Sequence, residues 1–206
     1  MKLEFHGHDE RYIVEQSMMS LFPLEKPVYG AVEPGETDWC RLTAEETAAG
    51  GRVSGELHYS GAAGAAETAY TLSGTAFEQE GQRRYAVAAC FYLAFLDLMK
   101  ALPEAARAAG KLVLPPWASL TGVRPDKPVT WALMEGKSPE EAKAYLKAHY
   151  FVPEERAALA LETGIVGYQA RKRLAARDID LCCHRTAVGL RGTVLSHKKE
   201  TRMTIQ

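Results

Sequence analysis

The side chains best suited to metal binding cluster near the end of the chain, where Cys182-Cys183-His184 is followed by His197. Zinc favours thiolate and imidazole ligands, but structural sites usually space paired cysteines by about two to four residues, so that both sulfurs reach one ion. Adjacent cysteines do not provide that arrangement. We therefore predict an ordinary tail here, and a metal site is the less favoured alternative.

A second candidate metal site lies at the start of the chain. His6 and His8 would share one side of an extended segment, and Asp9 follows them directly. Without a third ligand nearby these residues do not complete a site. A strand end with solvent-facing histidines is the preferred interpretation.

Motifs of nucleotide-binding and hydrolytic enzymes are missing from the sequence. It contains no Walker A loop, GxGxxG, HExxH or nucleophile-elbow motif. Glu-Glu pairs at 45–46, 140–141 and 154–155 are typical of first helical turns, where the helix dipole favours acidic residues. We accordingly predict no catalytic, cofactor-binding or metal-binding residues.

Charge is distributed unevenly along the chain. Residues 171–206 contain nine Lys or Arg and three acidic residues, a net +6, so the preceding residues carry −7 of the overall −1. The stripe Arg171-Lys172-Arg173 with Arg177 could contact nucleic-acid phosphates. Such a run is more often a solvated helix face, and Tyr168 is the one aromatic residue nearby, so nucleic-acid binding is disfavoured.

The overall composition is that of a globular protein, with 47% apolar residues among 206. The longest apolar run, residues 85–96, is shorter than the roughly 20 residues of a membrane span, so we expect a buried helix and no membrane contact. The start has no apolar region of a secretory signal, and four cysteines make no disulfide framework. These features predict a cytoplasmic protein.

Apolar spacing divides the first 110 residues into strands and helices. A strand is predicted at Leu3 and Phe5, followed by a helix that His8-Asp9 opens and Pro23 ends, with apolar positions at Tyr12, Ile13, Val14, Met18 and Leu21. A loop over 24–36 and a short strand over 39–42 come next. Then follow a hairpin of 53–59 with 70–72, joined loosely over 61–64, and a helix over 78–102. Together they predict an α+β fold, a small antiparallel sheet with two helices.

From Gly110 onward the pattern is helical with short connections. Helices are predicted over 126–135, ended by Gly136, then from Ser138 to about 149, and from Pro153 to about 176. Ser138 is expected to cap its helix and Glu141 to complete a capping box. We predict an α+β domain over 1–110, a helical subdomain over 111–181, and a divergent tail over 182–206 whose composition is typical of disorder.

A stiff loop connects the two halves, since Pro115, Pro116 and Pro125 restrict its backbone. Its residues Trp117, Thr121 and Arg124 could form a small interface or binding loop. Alternatively, Trp117 plugs the joint between the halves, which is the favoured interpretation.

The same loop carries a family resemblance. Three segments carry it, in the order Trp117-Ala118-Ser119-Leu120-Thr121-Gly122-Val123-Arg124-Pro125-Asp126-Lys127, Ser138-Pro139-Glu140-Glu141-Ala142 and Tyr150-Phe151-Val152. These segments resemble the region before the catalytic barrel of HemZ-type, oxygen-independent coproporphyrinogen III dehydrogenases (oxidases). The opening Leu3-Glu4-Phe5-His6-Gly7-His8-Asp9 is similar to their start, and the resemblance covers roughly residues 1–181.

This resemblance implies a radical S-adenosylmethionine oxidoreductase of haem (porphyrin) biosynthesis. In that family a CxxxCxxC motif holds a [4Fe–4S] cluster, and S-adenosylmethionine binds the open iron position to generate the radical. This chain contains no such motif, and the barrel would have to begin at Leu181, after which 25 residues remain. No catalytic or cluster residue can be carried over, and no cofactor is expected in this chain.

The sequence therefore predicts a truncated, non-catalytic N-terminal region of a HemZ-type enzyme, whose partner is the radical SAM barrel domain that the chain lacks. A frame-shifted gene product would explain the change after Leu181. Sequencing the codons for residues 180–184 tests this, because an intact alternative frame would encode CxxxCxxC. The alternative function is a stand-alone module that binds RNA or a partner protein through the basic tail.

Overall fold

The computed structural model describes residues 1–72, 76–120 and 124–175, and the side chains of residues 76–80 and 175 lie outside that description. Five strands and six helices lie within these ranges. Their bounds are β1 (Lys2–His6), α1 (Arg11–Leu21), β2 (Val28–Tyr29), β3 (Trp39–Thr47), β4 (Gly50–Tyr59), β5 (Ala62–Thr71), α2 (Ala76–Ala101), α3 (Glu104–Ala109), α4 (Lys127–Met134), α5 (Pro139–Tyr150) and α6 (Glu154–Ala175).

The strands form one mixed sheet in the order β2-β1-β3-β4-β5. β1 runs parallel to both β2 and β3, whereas β3, β4 and β5 follow one another antiparallel. The predicted α+β class is confirmed. The expectation of a purely antiparallel sheet is wrong at β1 and β2, because α1 carries the chain back before it pairs again and short turns link only the later strands.

Local predictions within the sheet also need correction. Residues 24–36, predicted as a loop, include β2, and the strand predicted over 39–42 extends to Thr47. The hairpin connection is tight at Ser60-Gly61 rather than loose over 61–64. Both turn residues have positive φ (49° and 81°), as a type I′ turn requires. β5 begins at Ala62, earlier than the predicted 70–72, and its first residues are mostly alanine, which is depleted in strands.

The first helix packs on the sheet through one face. Val14, Met18 and Leu21 are buried at i, i+4 and i+7. Tyr12, predicted to share this face, is instead 67% exposed. Since successive residues rotate by about 100° around a helix, a residue two positions before Val14 faces the opposite side.

The long helix α2 covers most of the same sheet face, and its predicted extent is confirmed closely. Phe95 packs edge-on against Phe22, with ring centroids 5.2 Å apart. The helix backbone approaches the sheet at Gly64, where a Cβ atom would lie 2.2 Å from the Leu98 nitrogen. Neither α2 nor another helix of the described ranges is long and apolar enough to cross a membrane.

In the second half, α4, α5 and α6 pack around their own core, close to the predicted bounds. The capping box is confirmed: Glu141 N–H donates to Ser138 Oγ (3.2 Å), and Ser138 N–H donates to Glu141 Oε2 (2.7 Å). Gly136 follows α4 with a φ of 86°, as expected for a C′ residue. The short helix α3 was not predicted.

Helices α4 and α6 cross closely because Gly164 has no side chain. A Cβ atom there would lie 2.5 Å from Val129 Cγ1. Thr130 Oγ1 donates to the Gly164 carbonyl at 3.3 Å. The small residue thus lets the Thr130 hydroxyl of α4 reach a backbone carbonyl of α6 inside the core.

Candidate functional site

The loop between α3 and α4 begins with two consecutive turns. The Ala118 N–H donates to the Pro115 carbonyl and the Leu120 N–H donates to the Trp117 carbonyl, both at 3.0 Å. Ala118 has a positive φ of 52°. The fixed φ angle of proline restricts this backbone further. The predicted stiff loop is therefore present over 115–120, and its continuation at 121–123 lies outside the described residues.

Trp117 is half-buried and packs against the helical core. The guanidinium carbon of Arg156, near the start of α6, lies 5.6 Å from its ring centroid, within cation–π range. One face of the indole thus meets a cation while the ring contacts apolar side chains. This placement anchors Trp117 in the helical half, and its role as a plug between the halves stays a prediction.

The end of α5 is tied to this loop and to α2. Ser119 donates twice to the Tyr150 carbonyl, from its N–H (3.2 Å) and from Oγ (3.0 Å). Phe151 has a left-handed φ of 58° and stacks on Tyr92 of α2 at 6.1 Å. Trp117 and Ser119 attach the loop to α6 and α5, and Tyr150 and Phe151 attach the end of α5 to α2, so we call these four residues the joint.

Three tyrosine rings meet beside the joint. Tyr150 lies edge-on to Tyr85 of α2 and to Tyr145 of α5, at centroid distances of 5.1 and 5.9 Å. Burial raises the pKa of Tyr150 above its ordinary value, and the neighbouring hydroxyls raise it further. A phenol with a raised pKa stays protonated at neutral pH and is no general base. The cluster packs α2 against α5 through these ring contacts.

A small cavity of about 160 Å³ lies next to the joint. Its wall includes Ser17 and Ser20 of α1, Tyr92 of α2 and residues 115–120. Pockets for drug-sized ligands measure about 300–1,000 Å³, so this one accommodates a few water molecules. Tyr92 is the one ionisable group among the lining residues, and burial raises its pKa. The wall thus offers hydroxyl groups and no base.

The other two residues of the predicted binding loop do not join Trp117. Arg124 is exposed, and its Nη2 lies 3.8 Å from Asp126 Oδ2. The cation over the indole ring is Arg156 instead. Thr121 lies outside the described residues. A shared binding role for Trp117, Thr121 and Arg124 therefore stays a prediction.

A buried charge cluster between α1 and α2 was missed by the sequence analysis. The side chain of Glu10 is 8% exposed and accepts hydrogen bonds from Nε of Arg83 (3.0 Å) and of Arg84 (3.1 Å). Arg83 also lies 3.6 Å from Glu46. Residues 73 positions apart meet only through helix packing, so no local spacing signals them. Because its carboxylates are matched by arginines, the cluster joins two helices and presents no unpaired carboxylate to a substrate.

The two N-terminal histidines differ in environment. His6 is exposed, as predicted, and its Nε2 lies 3.0 Å from Glu4 Oε1. His8 is half-buried instead, and burial lowers its pKa. Among the residues that the structure describes, no group of three or more His, Cys, Asp or Glu side chains is placed to hold a metal ion.

The cysteines of the described ranges are buried thiols. Burial raises the pKa of Cys40 well above its ordinary value and that of Cys90 to about 12. Since the thiolate is the reactive form, both are poor nucleophiles and poor metal ligands. The predicted tail residues Cys182, Cys183, His184 and His197 lie outside the described residues.

The sheet face that turns away from α2 carries charges that are paired with each other. Arg41 binds Glu4 at 2.8 Å and Glu56 at 3.3 Å. The Arg41 hydrogen bond lowers the pKa of the Glu4 carboxyl. Trp39 stacks on His58 at 4.0 Å beside this cluster. A guanidinium already held by two carboxylates is poorly suited to bind a phosphate.

The basic stripe occupies the last turns of α6. Arg171, Lys172 and Arg173 are exposed there, and Lys172 Nζ lies 5.9 Å from the Tyr168 ring centroid. Their exposure is typical of a solvated helix face. Arg177 lies outside the described residues.

Compared with protein-family models, with curated proteins and with solved structures, the chain matches none of them.

Proposed function

We propose that this chain is a non-catalytic N-terminal module of the HemZ type, which packs on and extends a catalytic barrel domain. One observation carries this proposal. The joint residues Trp117, Ser119, Tyr150 and Phe151 all belong to the segments that resemble the HemZ-type family. Trp117 and Ser119 attach the loop to the helical half, and Tyr150 and Phe151 attach that half to α2. Residues used in this way fix the shape of a module and do not react with a substrate.

The proposed parent reaction is the oxidative decarboxylation of coproporphyrinogen III to protoporphyrinogen. The cluster and S-adenosylmethionine of the barrel would supply its chemistry. This chain would contribute a preformed surface, because the joint and the shared core of α4, α5 and α6 limit relative movement of its helices before any partner binds.

Helix α4 offers the most direct contact surface for such a barrel. It follows the segment that carries the resemblance, and it leaves Trp131 (36%) and Met134 (56%) exposed. At i and i+3 these two side chains share one helix face. Exposed apolar groups that lie together are typical of protein interfaces.

Anaerobic reconstitution with iron and sulfide tests the non-catalytic part of the proposal. We expect the purified chain to retain far less than one cluster, since it contains no CxxxCxxC motif. Stoichiometric iron together with the broad brown absorption of a [4Fe–4S] centre would contradict the proposal.

A second candidate function rests on the three exposed cations at the end of α6, Arg171, Lys172 and Arg173. These could bind RNA phosphates. Affinity for RNA that falls steeply with salt, and that disappears when residues 171–206 are deleted, would favour this function over the barrel module.

A further inference from the structure

The two edges of the sheet are protected to very different degrees. At one edge, β2 is only two residues long and follows Pro27. At the other edge, β5 is ten residues long, with the sequence AAGAAETAYT. It contains no Pro, Lys or Arg, and its register with β4 is unbroken by a bulge. Long edges without such residues are templates for a further strand.

The turn before β5 determines which backbone groups face outward. Tyr59 and Ala62 flank a two-residue turn and so form a hydrogen-bonded pair. Because such pairs alternate along an antiparallel ladder, the even-numbered residues of β5 bond to β4 and the odd-numbered ones point away. Two contacts agree. The Leu72 N–H donates to the Ala49 carbonyl (3.2 Å), and the outward Ala65 N–H donates to a side chain, Asp97 Oδ2 (3.3 Å).

We propose that the outer edge of β5 binds β5 of a second copy of this chain, antiparallel and centred on Ala66. This register places Ala63 opposite Ala69 and Ala65 opposite Glu67. The outward-facing backbone N–H and C=O groups of one strand then meet those of the other strand. Each side chain stays on the face of the sheet that it occupies in the single chain. The two five-stranded sheets become one ten-stranded sheet about a twofold axis.

Side chains select a second copy in this register. The alternative centred on Glu67 sets two carboxylates directly opposite each other, which destabilises a strand pair. In the register centred on Ala66, each Glu67 meets an alanine and keeps its contact with Arg52 (3.5 Å). The strand is thus complementary to itself without any change in its ion pairs.

The dimer is expected to be reversible and dependent on concentration. In the single chain the outward N–H of Ala65 donates to the Asp97 carboxylate, and the second strand must displace that carboxylate. Asp97 lies at the surface and also binds Lys100 at 3.2 Å. Since its carboxylate keeps a partner and water after displacement, this competition weakens the dimer without preventing it.

Sedimentation velocity of the full chain across a wide concentration range tests the proposal, with a shift from monomer to dimer as the expected result. Ala69→Pro removes one outward N–H and no bond to β4, so it should yield monomer throughout. Ala63→Lys, which adds a charge at the edge, should do the same. Ala48→Lys, the matched control in the exposed β3–β4 turn, should dimerise like the wild type. A wild-type chain that stays monomeric, or dimers that persist in both edge variants, would overturn the proposal.

Disulfide trapping tests the register. Residues that form a hydrogen-bonded pair have Cα atoms about 5.5 Å apart, within the range that a disulfide spans. A chain that carries both Ala63→Cys and Ala69→Cys should therefore form crosslinked dimers on mild oxidation. The unsubstituted chain, with its four native cysteines, gives the background level of crosslinking. Ala65→Cys with Ala69→Cys reports the register centred on Glu67 and should not. Preferential crosslinking of the second pair would contradict the register proposed here.

Discussion

The α+β half and the helical half achieve their packing by different means. Among the described residues, 23 buried apolar side chains form the core on the sheet, and all but Leu112 and Ala118 come from the first half; nine form the core of the helical half. Of the twelve largest fully buried side chains, Leu146 alone belongs to the helical half. Each such side chain contributes roughly 1.5–3 kcal/mol, so the first half is expected to be the more stable unit.

The helical half compensates with local devices. Its α5 begins with a capping box, its α4 and α6 approach at Gly164, and Tyr150 and Phe151 of the joint tie it to α2. We therefore expect the helical half to depend for its stability on its contacts with the α+β half. Changes in the first half should therefore unfold the whole molecule, whereas changes in the second should open it locally.

The largest effect is expected at Gly64. In Gly64→Ala the new Cβ would lie 2.2 Å from the Leu98 nitrogen and 2.3 Å from the Ala94 oxygen, both backbone atoms. Since α2 must shift as a whole, we expect a loss of about 3 kcal/mol in urea unfolding. Gly81→Ala is the control, because its nearest neighbour is Tyr85 Cε2 at 3.9 Å. It should stabilise α2 by up to about 1 kcal/mol. Equal effects of the two substitutions would refute the close approach.

A smaller and local effect is expected at Gly164. Its added Cβ would meet the Val129 side chain, at 2.5 Å from Cγ1, and a side chain yields more readily than a backbone. We expect Gly164→Ala to lose about 1–2 kcal/mol, seen as faster amide exchange in α4 and α6 with β3–β5 unchanged. Val129→Ala in the same chain should recover part of the loss. Strict additivity of the two substitutions would argue against this contact.

The capping box should contribute less again. Ser138→Ala removes the acceptor of the Glu141 N–H and should lose about 1 kcal/mol, confined to the first turn of α5. Ser20→Ala is the matched control. Ser20 is exposed and bonds only within its own helix, to the Gln16 carbonyl, so its loss should stay within about 0.5 kcal/mol. If Ser138→Ala matched this control in thermal unfolding, the cap would have no energetic role.

The smallest effect concerns pH and again distinguishes the halves. Burial lowers the pKa of His8, and its Nδ1 accepts the Glu10 N–H at 3.2 Å, a bond that protonation breaks. A lowered folded pKa means that the unfolded chain takes up more protons. Stability is then complete above the unfolded pKa of about 6.5 and falls as the pH drops below it.

The pH experiment compares His8→Gln with His149→Gln. Burial also lowers the pKa of His149, but this residue of α5 is exposed, so its contribution should be smaller. The wild type should lose unfolding free energy between pH 7 and pH 5. His8→Gln should reduce that loss more than His149→Gln does. The reverse order would show that the packing around His8 is not the source of the acid sensitivity.

The helical half could be predicted almost completely from the sequence because its signals are local. Ser138, Glu141 and Gly136 mark helix ends through residues close in the chain. The sheet was harder to predict. β2 is too short to show a pattern, and the alanines of β5 lack strand preference. The parallel pairing of β1 depends on how α1 returns the chain, which no local pattern encodes.

For the candidate site, the sequence identified the segment but not its contacts. Prolines and an aromatic residue at a change of pattern indicated a connection, and Trp117 lies in that loop against the helical core. Its partner Arg156 and the double hydrogen bond from Ser119 to Tyr150 arise from residues more than thirty positions apart. Such contacts depend on the packed fold, as does the cluster around Glu10.

The barrel-module proposal is tested most directly by calorimetric titration of this chain against a HemZ-type enzyme that lacks the region before its barrel. We predict saturable one-to-one binding that Met134→Glu on α4 weakens about tenfold or more, a loss of about 1.4 kcal/mol. Met19→Glu places the same charge on α1 at a similarly exposed methionine and should bind like the wild type. Absence of binding, or equal weakening by both variants, would contradict the proposed module.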